Sequence, residues 1–229
     1  MHIAPQPQAA IATEAPRMPA NMLSHLRPAI TLIVLFTLLT GVAFPLAFVG
    51  VGQLIFPFQA NGSLIVKDGK VVGSAIIGQN FTADKYFHGR PSALTGTDPK
   101  DSSKQVATPY DASESGASNL AATSKALNDR VAGDIKTLAS PGAGPGGAHE
   151  IPADAVTTSA SGLDPDISPA NAALQVPRIA VARKMTQQAV AAIVATQTQQ
   201  PLLGFIGEAR VNVLAVNLAL DAAVQQKAP

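Results

Sequence analysis

The sequence lacks cysteine and tryptophan and is poor in charged and aromatic side chains. Charged residues make up 14% and aromatic residues 4% of its 229 residues, whereas an ordinary soluble domain carries about 25% charge. The absence of cysteine excludes a disulfide scaffold, an iron–sulfur cluster and a cysteine-ligated zinc site. A net charge of +1 without a basic stripe argues against nucleic-acid binding. We therefore expect part of the chain to lie outside water.

A long stretch without charge lies near the N-terminus. No Asp, Glu, Lys or Arg occurs from Pro28 to Val66, and a helix over residues 29–51 would extend about 34 Å, enough to cross a bilayer core. A buried helix of a soluble protein is the alternative, which this length disfavours. The sequence predicts a flexible tail (1–27), a transmembrane helix (28–52) and one extramembrane domain (53–229). The length favours an uncleaved anchor over a signal peptide.

Small residues and a proline interrupt the predicted span. Gly41, Ala43, Pro45 and Ala47 form a candidate patch for close packing against another membrane helix. Pro45 is expected to kink the helix, because it has no N–H to donate to the carbonyl of Gly41. A solitary kinked anchor is the alternative interpretation.

Charge indicates an orientation for the span. The tail carries Arg17, Arg27 and Glu14, whereas residues 53–229 hold the other 14 basic (16 − 2) and 14 acidic (15 − 1) residues, a net charge of zero. The positive-inside rule therefore favours a cytoplasmic N-terminus and an extracytoplasmic domain.

Beyond the span, the pattern predicts an α+β domain with a β-hairpin first. Asp68-Gly69 between β-branched residues predicts a hairpin over residues 63–78. The aromatic and histidine residues of 81–91 are interpreted as a small packing core, with a ligand-binding groove as the alternative. The polar segment 95–119 is interpreted as a loop, and residues 152–158 as a short extended segment.

Helical patterns dominate the rest of the domain. Residues 120–138 predict one helix, followed by a flexible Gly-rich connector. Ser168-Pro169 forms an N-cap and first-turn pair for a helical stretch to residue 197. Pro177 is expected to break this stretch, with a further join near Thr186. Residues 211–224 fit a strand at first and a helix later.

The domain carries no familiar catalytic or nucleotide-binding motif. The P-loop, dinucleotide, H-E-x-x-H and G-x-S-x-G patterns are absent, and no metal site is predicted. Asp164 and Asp166 could hold a cation, although turn and cap chemistry explains them as well. Ser161, Asp164 and His88 or His149 could imitate a catalytic triad, but nothing in the sequence positions them.

A polar run at residues 110–120 holds the candidate anion site. Ser115, Gly116, Ser118 and Asn119 are small residues ahead of the predicted helix, and backbone N–H groups at a helix N-terminus attract phosphate. An ordinary capped loop is the alternative.

Many short motifs, in the same order, resemble the C chain of the Kdp-type potassium-transporting ATPase. They run from His25-Leu-Arg-Pro28 through most of the chain and include Gln59-Ala-Asn-Gly-Ser63, Arg90-Pro-Ser-Ala93, Ser118-Asn-Leu120, Thr158-Ser-Ala-Ser-Gly-Leu-Asp-Pro165, Gln175-Val-Pro-Arg178 and Asn217-Leu-Ala-Leu-Asp221. The resemblance implies a non-catalytic accessory subunit of a bacterial inner-membrane complex that takes up potassium at the expense of ATP. The implied partners are a channel-like potassium-binding chain and a P-type ATPase chain, which handle potassium and ATP; no cofactor is assigned to this chain.

The resemblance also implies roles for the subunit. The family's C chain is thought to stabilise the assembly and to assist ATP binding by the catalytic chain, with Ser115, Gly116, Ser118 and Asn119 as the nucleotide-binding residues. Ala117 stands where the family has a second glycine. An extracytoplasmic domain would not reach cytoplasmic ATP, which favours roles in assembly and at the channel entrance. A membrane-anchored extracytoplasmic enzyme and a ligand-binding module remain the alternatives.

Overall fold

A computed structural model describes residues 22–139 and 151–225 of the chain. These residues divide into two units, 22–60 and 61–225. The predicted tail up to residue 21, the Gly-rich connector at 141–147 and His149 lie outside the described residues.

The first unit is one long apolar helix followed by a short one. It consists of α1 (Met22–Leu38), a π-helical turn (Leu39–Ala43), α2 (Phe44–Ile55) and α3 (Pro57–Ala60). The continuous stretch Ser24–Ile55 is long and apolar enough to cross a membrane. The predicted span lies within it, but the helix begins before residue 28, and Pro28 stands inside α1 rather than in its first turn. Residues 22–27 of the predicted tail are therefore helical.

A π-helical turn lies where the sequence predicts a kink. The N–H of Phe44 donates to the carbonyl of Leu39, five residues back, and Pro45 stands in the first turn of α2. Because Pro45 has no N–H, a regular helix would lack a hydrogen-bond donor at this position. The extra residue in the π-helical turn before Pro45 shifts the hydrogen-bond pattern there. The Thr40 hydroxyl donates to the carbonyl of Phe36 at 2.6 Å.

The second unit is an α+β domain, as the sequence predicts. Its described residues form three small antiparallel sheets, paired as β1-β2, β3-β4 and β5-β7-β6. The elements are β1 (Leu64–Lys67), β2 (Lys70–Ser74), β3 (Thr95–Asp98), β4 (Asp101–Ala107), α4 (Lys125–Leu138), α5 (Ala153–Val156), β5 (Asp166–Ile167), α6 (Pro169–Arg183), α7 (Gln187–Gln197), β6 (Thr198–Gln199), β7 (Arg210–Asn212) and α8 (Val213–Gln225).

The predicted hairpin is confirmed. Strands β1 and β2 pair with Lys67 opposite Lys70, which leaves Asp68-Gly69 as a two-residue turn. Both turn residues have positive φ, 51° for Asp68 and 74° for Gly69. This is the turn geometry whose twist matches that of the strands, and Asp-Gly is among the pairs that adopt it most readily.

A second hairpin stands where the sequence predicts a loop. Strands β3 and β4 pair antiparallel across Pro99-Lys100, and the Asp98 side chain accepts from the Lys100 N–H at 2.8 Å. The prediction of a loop over 95–119 is therefore wrong for residues 95–107. Most residues of β4 are exposed, so these strands have no apolar alternation by which they could be recognised.

Two predictions, a helix over residues 120–138 and an extended segment over residues 152–158, need correction. Helix α4 begins at Lys125 rather than at residue 120, because Asn119 has φ of 51° and residues 121–124 form a turn. The segment predicted to be extended at 152–158 contains the single helical turn α5. Its Asp154 carboxylate accepts from the N–H and hydroxyl of Ser168, both at 2.8 Å.

Helix α6 continues through Pro177 without the predicted break. The Ser168 hydroxyl caps it by accepting from the Asn171 N–H at 3.0 Å, as predicted. A proline at position 177 removes the donor to the carbonyl of Ala173, and Ala173 is exposed, so water is available to that carbonyl. The helix ends at Arg183, its C-cap residue Lys184 has φ of 55°, and Thr186 caps α7, which confirms the predicted join.

The core of the domain is built from α6, α7, α8 and the sheet around β7. Strand β7 pairs with β5 on one side and β6 on the other, and the predicted change from strand to helix after residue 211 is confirmed. The buried apolar residues that pack together in one cluster are Phe87, Ile167, Ala172, Val176, Ile179, Ala180, Val190, Val194, Val211, Val213, Val216 and Leu220. Of these, Phe87 alone comes from the first half of the domain.

Candidate functional site

Side chains from α6 and α8 fix the irregular segment 81–91. Asn217, 1% exposed, accepts from the Phe87 N–H at 2.8 Å and donates to the Phe87 carbonyl at 3.0 Å. Gln175 does the same for His88, accepting at 2.8 Å and donating at 3.1 Å. Two side-chain amides thus satisfy backbone groups that a neighbouring strand would otherwise satisfy.

Arg178 of α6 holds further backbone groups of this segment. Its guanidinium donates to the carbonyls of Asp84 at 2.6 Å and Tyr86 at 3.1 Å. The His88 Nε2 atom lies 3.2 Å from the carbonyl of Ala83 and 3.5 Å from Arg178 Nη1. Burial and the charge of Arg178 lower the pKa of His88, and burial lowers the pKa of Arg178 itself.

Arg183 and Asp221 hold the middle of the same segment, at Lys85 and Tyr86. Arg183 donates to the carbonyl of Lys85 at 2.6 Å and pairs with Asp221 at 2.8 Å. The second carboxylate oxygen of Asp221 accepts from the Tyr86 hydroxyl at 3.1 Å, and the guanidinium of Arg183 lies 5.0 Å from the Tyr86 ring centre. We call these five side chains, Gln175, Arg178, Arg183, Asn217 and Asp221, the clamp.

The clamp holds segment 81–91 so that Phe87 lies in the core. Phe87 is fully buried, which confirms the interpretation as a packing core. A cleft of about 220 Å³ lies beside the segment, lined in part by His88, Asn171, Gln175 and Arg178. The polar groups of Gln175 and Arg178 that line it already bind the backbone of the segment.

The serine and glycine run lies against another loop. The Gly116 N–H and the Ser115 hydroxyl both donate to the carbonyl of Ser161, at 2.9 and 3.2 Å. Ser118 is half-buried and Asn119 is exposed with a left-handed backbone. The structure therefore separates the run from the start of α4, and the Gly116 N–H already has a partner.

The structure does not assemble the triad-like residues. The Ser161 hydroxyl accepts from the Leu163 N–H at 3.1 Å. Asp164 pairs with Arg90 at 3.0 Å and accepts from the Asp166 N–H at 3.0 Å. Within the described parts of the chain, no hydrogen bond joins His88 to Ser161 or Asp164.

Each of the paired aspartates is held by an arginine. Asp166 lies 3.1 Å from Arg210 and accepts from the Asn212 side chain at 3.2 Å, while Asp164 binds Arg90. Burial raises the pKa of Asp166 against the effects of Asn212 and Arg210. Across residues 22–139 and 151–225, no group of three or more acidic or histidine side chains could hold a metal ion.

The candidate packing residues of the membrane helix surround the π-helical turn. Gly41 and Ala43 belong to that turn, and Pro45 and Ala47 to the start of α2. No part of the apolar stretch is buried within the chain, and the rings of Phe44 and Phe48 lie 4.6 Å apart. An exposed apolar helix of this length, among the described residues, fits a single-pass membrane protein.

A comparison with protein families identifies the origin of these features. The model of the family described as "K+-transporting ATPase, c chain" matches residues 26–222, which covers the helix and nearly all of the domain. The chain belongs to the KdpC family. This confirms the resemblance predicted from the short motifs, and it makes the chain a subunit of a potassium-transporting ATPase.

Curated members of the KdpC family match over almost their whole length. The potassium-transporting ATPase KdpC subunit of Bradyrhizobium diazoefficiens is 58% identical over 202 residues, which are 88% of this chain and 98% of the relative. Those of Methylobacterium nodulans and of Rhodopseudomonas palustris strain BisB18 are each 56% identical, over 87% and 88% of this chain and 98% and 100% of the relatives.

The clamp gives a physical role to two motifs that carry the resemblance to the KdpC family. Gln175-Val-Pro-Arg178 supplies two clamp residues, and Asn217-Leu-Ala-Leu-Asp221 supplies two more. The sequence pattern predicts no role for these four residues. The one feature of the sequence that could have indicated the clamp is Asn217, a polar residue among apolar neighbours of an otherwise buried helix. Buried amides require hydrogen-bond partners.

Proposed function

We propose that this KdpC-family chain is a non-catalytic accessory subunit that stabilises the assembly of the potassium-transporting ATPase. The observation that carries this proposal is the clamp. The titratable and amide side chains of the motifs bind backbone groups of segment 81–91. They therefore stabilise a rigid domain and do not form a reactive centre. A rigid domain on a membrane anchor is suited to act as a scaffold between a channel-like potassium-binding chain and a P-type ATPase chain.

Within the membrane, the proposed contact is the patch of small residues and proline at the π-helical turn, Gly41, Ala43, Pro45 and Ala47. Small side chains allow close approach of a second helix, and van der Waals packing is the main attraction between helices in lipid. Replacement of Gly41 by Leu would separate the two helices and lower the recovery of the partner chains. Replacement of Val51 by Leu in the same helix, which also keeps the apolar character, is the matched control.

We propose that the domain stands on the extracytoplasmic side of the bacterial inner membrane, with the N-terminus in the cytoplasm. The charge of the tail and the positive-inside rule support this orientation. The domain then acts next to the entrance of the channel-like chain.

For ATP, we propose an indirect contribution through assembly. A bound phosphate would need free N–H donors, whereas the Gly116 N–H donates to Ser161 at 2.9 Å. Joint replacement of Ser115 and Ser118 by Ala should leave the ATP affinity of the purified complex unchanged. A clear loss of affinity, with the composition of the complex intact, would restore direct nucleotide binding by this run.

The experiment that tests the proposed function is recovery of the intact complex. Cells are grown at low potassium, the chain carries a C-terminal affinity tag, and membranes are solubilised in a gentle detergent. We expect a P-type ATPase chain and a large channel-like chain to be recovered with it, identified by mass spectrometry. A tagged single-span protein unrelated to transport is the control. Recovery of this chain alone would contradict the proposal and favour an anchored enzyme or ligand-binding module.

A further inference from the structure

A cleft in the domain, among β1, segment 81–91, α6 and α8, carries an excess of positive charge. Its volume is about 520 Å³. The charged residues that line it are Lys67, Lys85, Arg183 and Asp221. Three positive charges and one negative charge leave a net charge of +2 (3 − 1). Asp68 and Asp84, which follow and precede the two lysines in the sequence, do not line it, so the cleft favours an anionic ligand.

The carboxylate that lines the cleft is already occupied. Its two oxygens bind Arg183 at 2.8 Å and the Tyr86 hydroxyl at 3.1 Å. Within the described parts of the chain, neither Lys67 nor Lys85 forms an ion pair, and the Lys85 ammonium lies 5.1 Å from the centre of the Tyr86 ring. Two ammonium groups, each with three N–H donors, are therefore available to one anion.

A smaller cavity of about 200 Å³ adjoins the cleft. The two share Tyr86 and Asp221 as lining residues. The apolar side chains in its wall are Val72, Phe81, Leu214 and Leu218. Its amide side chains, Gln79 and Asn217, already donate to backbone carbonyls at 2.8 and 3.0 Å. Apolar walls next to a cationic cleft fit a ligand that joins an anionic group to an apolar chain.

The cleft is close to the membrane-spanning segment along the chain. Three residues, 61–63, connect α3 to β1, and α3 follows the helix that is long and apolar enough to cross a membrane. Lys67 is the first charged residue after that helix. Lys and Arg side chains near a membrane attract the phosphate groups of anionic lipids. Phospholipid is therefore the anionic amphiphile within reach of this cleft.

We propose that the domain binds one anionic phospholipid, with the phosphate between Lys67 and Lys85 and an apolar chain directed into the smaller cavity. A soluble phosphate would use the same two lysines but would leave the apolar walls uncovered. The inference goes beyond the proposed function, since it assigns a ligand to this chain and involves no partner chain. It holds for either orientation across the membrane.

The test measures lipid binding to the purified full chain in detergent micelles by native mass spectrometry. The probe is dioleoyl phosphatidylglycerol, and dioleoyl phosphatidylcholine, which has the same chains and no net charge, is compared at the same concentration. We expect one molecule of phosphatidylglycerol to bind in preference. Combining Lys67→Gln with Lys85→Gln should raise its Kd by about tenfold or more, because both contacts with the phosphate are lost.

Lys70→Gln combined with Lys100→Gln is the matched control. Both lysines are exposed and neither lines the cleft, so the control removes the same two positive charges and should keep the Kd of wild type. Equal weakening in the two double variants would indicate a general attraction of charge and overturn the proposal. An unchanged Kd after loss of Lys67 and Lys85, or a wild type without preference for phosphatidylglycerol, would overturn it as well.

A third probe distinguishes a lipid from a soluble anion. Glycerol 3-phosphate carries a phosphate without acyl chains, and we expect it not to displace phosphatidylglycerol at an equal concentration. Displacement as effective as that by a second phospholipid would make the cleft a site for soluble phosphates and overturn the assignment to lipid. Because the measurement uses this chain alone, its outcome is separate from the recovery of partner chains.

Discussion

Asn217 is the residue on which the arrangement of the domain depends most directly. Its side chain satisfies both backbone groups of Phe87, 130 positions away in the sequence, at 2.8 and 3.0 Å. Asn217→Ala would leave a buried N–H and a buried carbonyl without partners. At about 1–3 kcal/mol for each group, we expect the free energy of unfolding to fall by about 3 kcal/mol, measured by urea denaturation of the full chain in detergent.

Asn128→Ala is the matched control for this prediction. Asn128 is exposed on α4, and the same substitution there should change the free energy of unfolding by less than about 0.5 kcal/mol. Equal effects at the two positions would contradict the role assigned to the Asn217 amide.

The surroundings of His88 predict that the free energy of unfolding of the domain depends on pH. Burial, then the charge of Arg178, lowers its pKa in the folded state, while the bond to Ala83 and the charge of Asp84 act in the opposite direction. Below about pH 6.5 the unfolded chain therefore binds more protons than the folded chain. The contribution of neutral His88 to the free energy of unfolding is complete above about pH 6.5 and is lost as the pH falls.

The measurement is the unfolding midpoint of wild type and His88→Gln between about pH 7.5 and 5. Glutamine can still donate to the carbonyl of Ala83 but does not titrate, so we expect the variant to lose less stability on acidification. The other three histidines are unchanged, and the difference between the two curves isolates His88. Parallel curves would contradict the assignment.

For single residues, the sequence predicts which residues are buried better than which residues they contact. The aromatic segment 81–91 was recognisable as core because aromatics are scarce elsewhere in the chain. The five clamp side chains that hold it lie 87 to 135 positions further on, and no local pattern links them to it. The serine and glycine run shows the same limit, because its contact with Ser161 is 46 positions distant.

Two glycines in secondary-structure elements are expected to respond in opposite directions, in stability, to substitution by alanine. Gly69 in the first hairpin turn has φ of 74° and no atom within 4 Å of an added Cβ, so Gly69→Ala is opposed by backbone conformation alone. It should destabilise the domain by about 1 kcal/mol. Gly133 in α4 also has open space, and Gly133→Ala should stabilise by about 0.5–1 kcal/mol because it lowers the entropy of the unfolded chain.

Thermal unfolding of both alanine variants in the same detergent checks this pair. We expect the two midpoints to move in opposite directions from wild type. A stabilising Gly69→Ala would mean that the turn is not of the type described.

Elements were predictable where their signal is local. The first hairpin and the two capped helices α6 and α7 follow from short sequences, Asp68-Gly69, Ser168-Pro169 and Thr186. The second hairpin was missed because its strands are mostly exposed and so lack apolar alternation. The break at Pro177 was wrong because tertiary packing outweighs one missing hydrogen bond when the freed carbonyl, at Ala173, can reach water.

For the whole molecule, the orientation across the membrane can be measured with two single-cysteine variants. The natural chain has no cysteine, so Glu114→Cys in the domain and Thr13→Cys in the N-terminal tail each give one reactive thiol. With a membrane-impermeant maleimide on spheroplasts, we expect Glu114→Cys to be labelled at once and Thr13→Cys only after lysis. The reverse pattern would place the domain in the cytoplasm and reopen direct contact with ATP.

The separation of the clamp from its segment also determines the order of events during synthesis. Phe87 leaves the ribosome about 130 residues before Asn217, which at 5–20 residues per second is a delay on the order of ten seconds. The segment around this ring has no partner from α6 until 87 further residues have been made, and none from α8 until the end of the interval. The newborn domain therefore remains open until its last helix is translated, and a chain cut short before residue 213 would be a substrate for chaperones and proteases.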